Sequence, residues 1–350
     1  MAELRKVVLL ATVASTCMLG GSVATADDVR CTHPWASQAA LRAGFRCIGD
    51  LRTASKPPVL LVHGTYGRPE GWNWNYVPAL RAEGWPVCTV ELPERGTASI
   101  PESAEYIEYA IRTAFGMSGR KVEVIGHSQG GMAPRWVLRF APETRAMVDD
   151  LVALAPSNHG ALVPYYFCDS GPSPDPWGTV GCPPAMWQQR VESHFLARLN
   201  SDSEIVPEVD YTSIYSVFDT VIGFNDGAKP SSAIRSTRAN VANIAIQQAC
   251  PASTADHFET GSFDPATYAI ALDALQHPGP ARLDRVLHGN VPGSPSFCGA
   301  VFMPGVNPAT FDEVWNAFFN DLFVAIQSAR NVASEPALPC SSRRRAGIHD

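Results

Sequence analysis

The side chains able to do chemistry are few and lie far apart in the chain. Ser128 stands in Gly126-His127-Ser128-Gln129-Gly130, after the mostly apolar run Val122-Glu123-Val124-Ile125 and before Met132, Trp136, Val137 and Phe140 at helical spacing. A neutral hydroxyl is a poor nucleophile, so it needs a base within hydrogen-bond reach and a third group to fix the tautomer of that base. His257 and Asp219 are the partners this sequence offers for Ser128. Such a trio attacks a carbonyl carbon and passes through a covalent acyl intermediate.

The spacing around Ser128 implies how it is held. Gly-x-Ser-x-Gly between an apolar strand and a helix is a strained strand-to-helix turn, and a side chain at Gly126 or Gly130 would crowd the neighbouring strand or helix. The helix that starts there aims free N–H groups at whatever lies above the hydroxyl. Upstream, the strand at residues 58–62 runs into His63-Gly64-Thr65, a position suited to a second N–H donor. The expected oxyanion donors are therefore the N–H groups of Thr65 and Gln129, with the Thr65 hydroxyl as a third hydrogen bond. His63 precedes the nucleophile and is read as structural.

The acid and the base follow from chain order. Asp219 ends the β-rich run 211–218, with Asp226 as its rival and Asp210 behind because it precedes that run. His257 comes after the strand expected at 241–247, the last of the sheet. His33, His194, His277, His288 and His349 belong to no motif and are read as surface or structural residues. His127, His159 and Trp187 are candidates for the substrate pocket.

The remaining elements must carry these residues. The 350 residues are 45% hydrophobic and 17% charged, enough for one large α/β domain with a filled core. A net charge of −7, with Arg343-Arg344-Arg345 as the one basic cluster, argues against nucleic acid as a partner. Residues 1–26 have the makings of a secretory signal: Arg5 and Lys6, an apolar run, then Ala24-Thr25-Ala26. Of nine cysteines, removal of Cys17 with that segment leaves an even number in an oxidising compartment, where disulfides are expected. No Cys and His cluster has zinc-ligand spacing, so no metal is expected. Residues 27–57 read as a leader of little periodicity. Helices are predicted at 72–82, 102–115 and 187–199, the second with a buried stripe of Ile107, Ala110, Ile111 and Ala114. Pro134 is expected to kink the helix after Ser128. Residues 157–187 are broken repeatedly by Gly and Pro, and form either a cap over an apolar pocket or a surface insertion that Cys168 and Cys182 could close. Phe311, Val314, Trp315, Phe318, Leu322 and Phe323 make an apolar helix, core or pocket wall, and the tail after it reads as loosely ordered.

These features together resemble the Candida antarctica lipase B type of α/β-hydrolase. The resemblance rests on Leu60-Leu61-Val62-His63-Gly64-Thr65, Asn75-Tyr76-Val77-Pro78-Ala79-Leu80, His127-Ser128-Gln129-Gly130-Gly131 and Ala153-Leu154-Ala155-Pro156. It continues through Trp187-Gln188-Gln189, Ile205-Val206-Pro207, Ile214-Tyr215-Ser216-Val217-Phe218-Asp219 and Asp256-His257, in the same order. It implies an α/β-hydrolase fold, a mostly parallel central sheet flanked by helices with a cap or lid insertion at about 157–187 in a single domain over 27–350. It also implies hydrolysis of carboxylic esters, triacylglycerols included, without a metal or organic cofactor. Its nucleophile falls on Ser128, its acid on Asp219, its base on His257 and its oxyanion donors on Thr65 and Gln129. It pairs Cys47 with Cys88 and Cys250 with Cys298, which leaves Cys168 with Cys182 and Cys31 with Cys340. The chain departs from the family at Gly126-His127, where the family has Thr-Trp, and in the segment between Cys168 and Cys182, which is unlike the short fungal lid.

The expected protein is thus a secreted lipase or carboxylesterase whose partner is an ester or lipid, met transiently at a lipid–water interface by a monomer. Acyl transfer to an alcohol, polyester cleavage, and an inactive hydrolase-fold binding protein are the alternatives.

Overall fold

The computed structural model describes residues 35–168, 181–288 and 296–339. Seven strands, β1 (Phe45–Ile48), β2 (Val59–Val62), β3 (Val87–Val90), β4 (Val122–His127), β5 (Val148–Leu154), β6 (Asp210–Tyr215) and β7 (Val241–Ala245), form one sheet in the order β1-β3-β2-β4-β5-β6-β7. Every neighbouring pair is parallel except β1 with β3. The helices are α1 (Gln38–Ala43), α2 (Tyr76–Ala82), α3 (Ile100–Ser118), α4 (Gln129–Phe140), α5 (Val163–Cys168), α6 (Pro184–Gln188), α7 (His194–Leu199), α8 (Ile246–Ala249), α9 (His257–Ser262), α10 (Pro265–Gln276), α11 (Leu283–His288) and α12 (Phe311–Ser328). Among the described residues no helix is long and apolar enough to cross a membrane.

Strand β2, Val-Leu-Leu-Val, is apolar without interruption because helices cover both faces of the sheet. All four residues of β2 and of β3 are buried. The strand period then divides the core in two. Leu60, Val62 and Val124 point to the face covered by α3 and α4, while Val59, Leu61 and Ile125 point to the face covered by α2 and α10. The stripe Ile107, Ala110, Ile111 and Ala114 of α3 is fully buried, as its spacing requires.

Several elements depart from their sequence-based outlines, each for a local reason. The helix expected at 72–82 begins at Tyr76, because the buried Asn75 accepts the Tyr76 N–H at 2.6 Å and so caps it; a separate 3-10 turn covers Pro69–Trp72. The helix expected at 187–199 is two, α6 and α7, and Ser193 between them caps α7 by accepting the Leu196 N–H. The strand expected at 211–218 ends at Tyr215, where the Ser216 hydroxyl takes the Phe218 N–H and turns the chain, leaving Val217 and Phe218 exposed. The strand expected at 241–247 ends at Ala245 and passes into α8. The presumed leader contains α1 and the edge strand β1. Pro134 stands inside α4, which continues through it unbroken. Residues 329–339 of the tail are anchored, not loose. Val332 bridges to Cys182, and the Glu335 carboxylate accepts the His194 and Phe195 N–H groups at the start of α7.

Disulfides join Cys47 to Cys88 across β1 and β3, Cys168 to Cys182, and Cys250 to Cys298. Residues 1–26, the pair Cys31 and Cys340, and residues 169–180 of the expected cap lie outside the described residues.

The tightest packing is at the end of β4. A methyl group at Gly126 would run into the Gly130 carbonyl, and one at Gly130 into the carbonyls of Val62 and His63. All of these neighbours are backbone and cannot yield. Gly126→Ala is therefore expected to lower stability by at least about 3 kcal/mol in urea unfolding; a change under about 1 kcal/mol would contradict this packing.

Candidate active site

Ser128 occupies the step from β4 into α4 with φ 56° and ψ −124°, a conformation that costs a non-glycine residue of order 1–3 kcal/mol. The surroundings hold it there. Its N–H donates to Leu154 O at 2.8 Å, and the absent side chain of Gly64 admits the Ser128 Cβ. The Gln129 N–H, in the first turn of α4, has no acceptor within the helix.

His257 is the first residue of α9. Asp256 caps that helix by accepting the Phe258 and Glu259 N–H groups, and Glu259 in return accepts the Asp256 N–H at 2.9 Å. The capping box fixes the backbone from which the imidazole projects. Asp219, beyond the end of β6, meets His257 Nδ1 through Oδ2 at 2.8 Å, while its Oδ1 accepts the Val221 and Ile222 N–H groups at 3.0 and 2.8 Å. Both side chains are buried. A carboxylate opposite Nδ1 requires the proton on that nitrogen, which leaves the lone pair on Nε2. The rival Asp226 is exposed, and Asp210 opens β6 at the other end of the sheet.

Ser128 and His257 line one cavity of about 660 Å³. Among the described residues no hydrogen bond joins the two. Most of the wall is apolar. Trp74, Phe167, Ile222, Phe258 and Phe318 contribute to it, and α12 supplies one side, where Trp315 stacks on Phe311 and Phe318. The apolar helix near the C-terminus is thus pocket wall, and of its residues Ala325 alone is buried. Arg68 and Arg95 both pair with Asp321 and tie α12 to the loops beside the cavity. Their hydrogen bonds, that of Arg68 first, hold the Asp321 carboxyl down to about 2.

Thr65 also lines the cavity, but its hydroxyl is committed. It donates to Gln129 Oε1 at 2.9 Å and accepts from Gln189 Nε2 at 2.9 Å. The hydroxyl is therefore not a free third donor, which corrects the sequence-based expectation. Gln189, just past α6, was not among the expected site residues, and a glutamine in a helix-to-turn segment carries no local signal of such a role. Two expected pocket residues are also elsewhere. His159 Nε2 meets Glu204 Oε2 at 3.1 Å and its Nδ1 faces the Asn200 amide, so it belongs to a buried polar network away from the cavity lining. The Trp187 indole N–H donates to Val332 O at 2.9 Å, which turns the ring to the anchored tail.

His127 does line the cavity. Its Nε2 donates to the His257 carbonyl at 3.1 Å, with the two rings 4.7 Å apart. A side chain at Gly261 would overlap the His127 ring. Burial first, then the neighbouring His257, holds His127 well below the ordinary imidazole range. His63 is buried, donates from Nδ1 to Gly64 O and accepts the Leu92 N–H at Nε2, so it braces the loop that carries Thr65.

The profile of the class 2 lipases matches residues 56–256. The chain belongs to that family. Lipase B of Pseudozyma antarctica is 27% identical over 272 residues, 77% of this chain and 75% of that protein. The crystal structure of Aspergillus fumigatus lipase B superposes with a TM-score of 0.76 at 26% identity, over 89% of this chain and 73% of that one. This class 2 lipase is an ester-hydrolysing serine enzyme with an α/β-hydrolase fold.

Burial pushes His63 down from 6.5 to about 4. The unfolded chain then binds the extra proton at this residue as pH falls through 6.5, whereas the folded lipase takes it up only near 4. Stability conferred by the neutral ring is complete above 6.5 and is lost across that window, about 3 kcal/mol in all. Urea midpoints measured from pH 7 to 4 should fall accordingly, and the fall should be shallower by about that amount in His63→Gln. Equal slopes in the two proteins would contradict this.

Proposed function

We propose that Ser128, His257 and Asp219 form the catalytic triad, with the N–H groups of Thr65 and Gln129 as the oxyanion hole. The buried Asp219 and His257 pair, set beside the strained Ser128 on an apolar cavity, is the observation that supports this most strongly. His257 Nε2 takes the proton of Ser128 Oγ as that oxygen attacks the ester carbonyl carbon. The carbonyl oxygen becomes an oxyanion held by the two N–H groups, each worth roughly 3–4 kcal/mol in the transition state. The intermediate collapses, the bond to the alcohol oxygen breaks, and His257 passes its proton to the departing alcohol. Water then attacks the acyl-serine, gives a proton to His257, and the acid leaves as Ser128 recovers its hydrogen. Asp219 keeps the imidazole in the required tautomer and stabilises the imidazolium. Gln189 holds Thr65 and Gln129 together, so the donors stand in place before the substrate arrives.

The substrate is an acyl ester whose chain lies against the aromatic and aliphatic wall formed partly by α12 and by Phe167 of α5. The segment at about 157–187 acts as a cap on a single catalytic domain; residues of α5 and Met186 of α6 line the cavity, and Pro34–Leu338 pack as one unit. Exposed Tyr166, Phe319, Phe323 and Val324 give the surface a means of resting briefly on a lipid–water interface. Three disulfides fit an oxidising compartment and so support secretion after loss of residues 1–26. The enzyme works as a monomer.

Ser128→Ala is expected to abolish labelling by a fluorophosphonate. Asp219→Asn should lower kcat by about 10⁴-fold with the fold intact. Labelling of the Ser128→Ala protein, or near-normal turnover of Asp219→Asn, would sink the assignment. A rate profile over p-nitrophenyl esters of increasing chain length, with and without an emulsion, should rise with chain length and with interface. Activity confined to short soluble esters would replace lipase with esterase.

A further inference from the structure

A second cluster of reactive groups lies at the other end of the sheet. Along β4 and β5 the register shifts, so that Val122 faces Val148 and Val124 faces Leu151. One residue of β4, Glu123, is therefore opposed by two of β5, Asp149 and Asp150. In a regular ladder consecutive side chains point to opposite faces of a sheet; a bulge breaks that alternation and re-aims a side chain. One carboxylate oxygen from each of Glu123, Asp149 and Asp150 lies within 4.8 Å of the others. Asp210, the register partner of Asp150 in β6, stands beside them.

The charge of this cluster is not matched by the protein. Lys121 reaches Asp149 at 2.8 Å, and both of those side chains are about half exposed. Glu123 and Asp150 are each only 4% exposed, and among the described residues neither forms an ion pair. Glu123 Oε2 accepts the Asp150 N–H, but Asp150 Oδ1 is buried with no hydrogen-bond partner. An unpartnered carboxylate oxygen in such a place costs several kcal/mol unless a proton or a cation joins it.

We propose that Glu123, Asp149 and Asp150 form a binding site for a divalent cation of the calcium class, at the end of β4 and β5 remote from Ser128. A hard cation of this kind takes carboxylate oxygens at about 2.3–2.6 Å, so one ion reaches all three when they lie this close. Ca²⁺ suits the site better than Mg²⁺, because it accepts irregular geometry and carboxylates of either denticity. The half-exposed side chain of Asp149 provides the route of entry and room for water ligands. The ion ties β4 to β5 and stabilises the fold by mass action, without taking part in the reaction.

The test is calorimetric titration of the full-length, EGTA-treated protein with CaCl2 at pH 8, to about 10 mM, above the weakest range of extracellular calcium modules. Saturable uptake of one Ca²⁺ is expected, with a melting temperature that rises by several degrees. The double variant Glu123→Gln and Asp150→Asn should lose both responses while ester hydrolysis stays unchanged, since each amide has the shape of the protonated acid. Asp149→Ala, on a half-exposed side chain whose loss leaves the core untouched, should weaken Ca²⁺ at least tenfold. No uptake and no shift in the wild-type protein, or unchanged uptake in either variant, would show that the cluster holds protons and overturn the proposal. An equal response to MgCl2 would overturn the choice of calcium.

Discussion

The 2.8 Å bond between His257 Nδ1 and Asp219 Oδ2 is the interaction to which the rest of the site answers. A buried carboxylate is tolerable only when its oxygens are satisfied, and here the Val221 and Ile222 N–H groups and the imidazole do so. That arrangement requires β6 to stop at Tyr215 and the chain to turn at Ser216 before Asp219. It also requires α9 to start at His257, which the Asp256 and Glu259 capping box secures. The carboxylate, the helix start and the strand end are thus one mechanical unit, with His127 bonded to the His257 carbonyl on its other side.

Facing that unit is the elbow, the strained turn from β4 into α4 at Ser128, where backbone is packed on backbone. Gly64, Gly126 and Gly130 let β2, β4 and α4 approach so closely that Ser128 keeps a conformation it would not choose. The same closeness brings Thr65 alongside Gln129, and Gln189 closes the group. Apolar packing on both faces of the sheet supplies the stability against which this local strain is held. The aromatic wall of α12 is attached differently, through Asp321 and two arginines at half-exposed positions, as suits an element beside a pocket mouth.

How much of this could be read from the sequence depended on the range of the signal. The elbow is local: strand, glycines and helix are contiguous, and the structure has the serine on that turn. Chain order in a wound sheet pointed to Asp219 and His257, and the structure brings those two side chains together. The stripe on α3 was legible from spacing alone. The edge strand β1 was not, because four residues, half-buried and exposed in turn, alternate too briefly to stand out from a loop. His159 and Trp187 looked like pocket residues by proximity to the cap, yet side-chain hydrogen bonds to Glu204 and Val332, distant in sequence, drew them away. The Thr65 hydroxyl was misjudged for the same reason, since its partners are 64 and 124 residues away. The acidic cluster at Glu123 was invisible because a register shift between strands leaves no mark in composition.

The most direct test of the central claim is a crystal structure of the enzyme after reaction with a phosphonate ester that mimics the tetrahedral intermediate. The phosphorus should stand on Ser128 Oγ, its free oxygen within hydrogen-bond distance of both the Thr65 and Gln129 N–H groups, and His257 Nε2 should turn to the serine oxygen or the leaving-group oxygen with the bond to Asp219 kept. A phosphorus atom on another residue, or an adduct on Ser128 with His257 bonded elsewhere and Asp219 released, would contradict it.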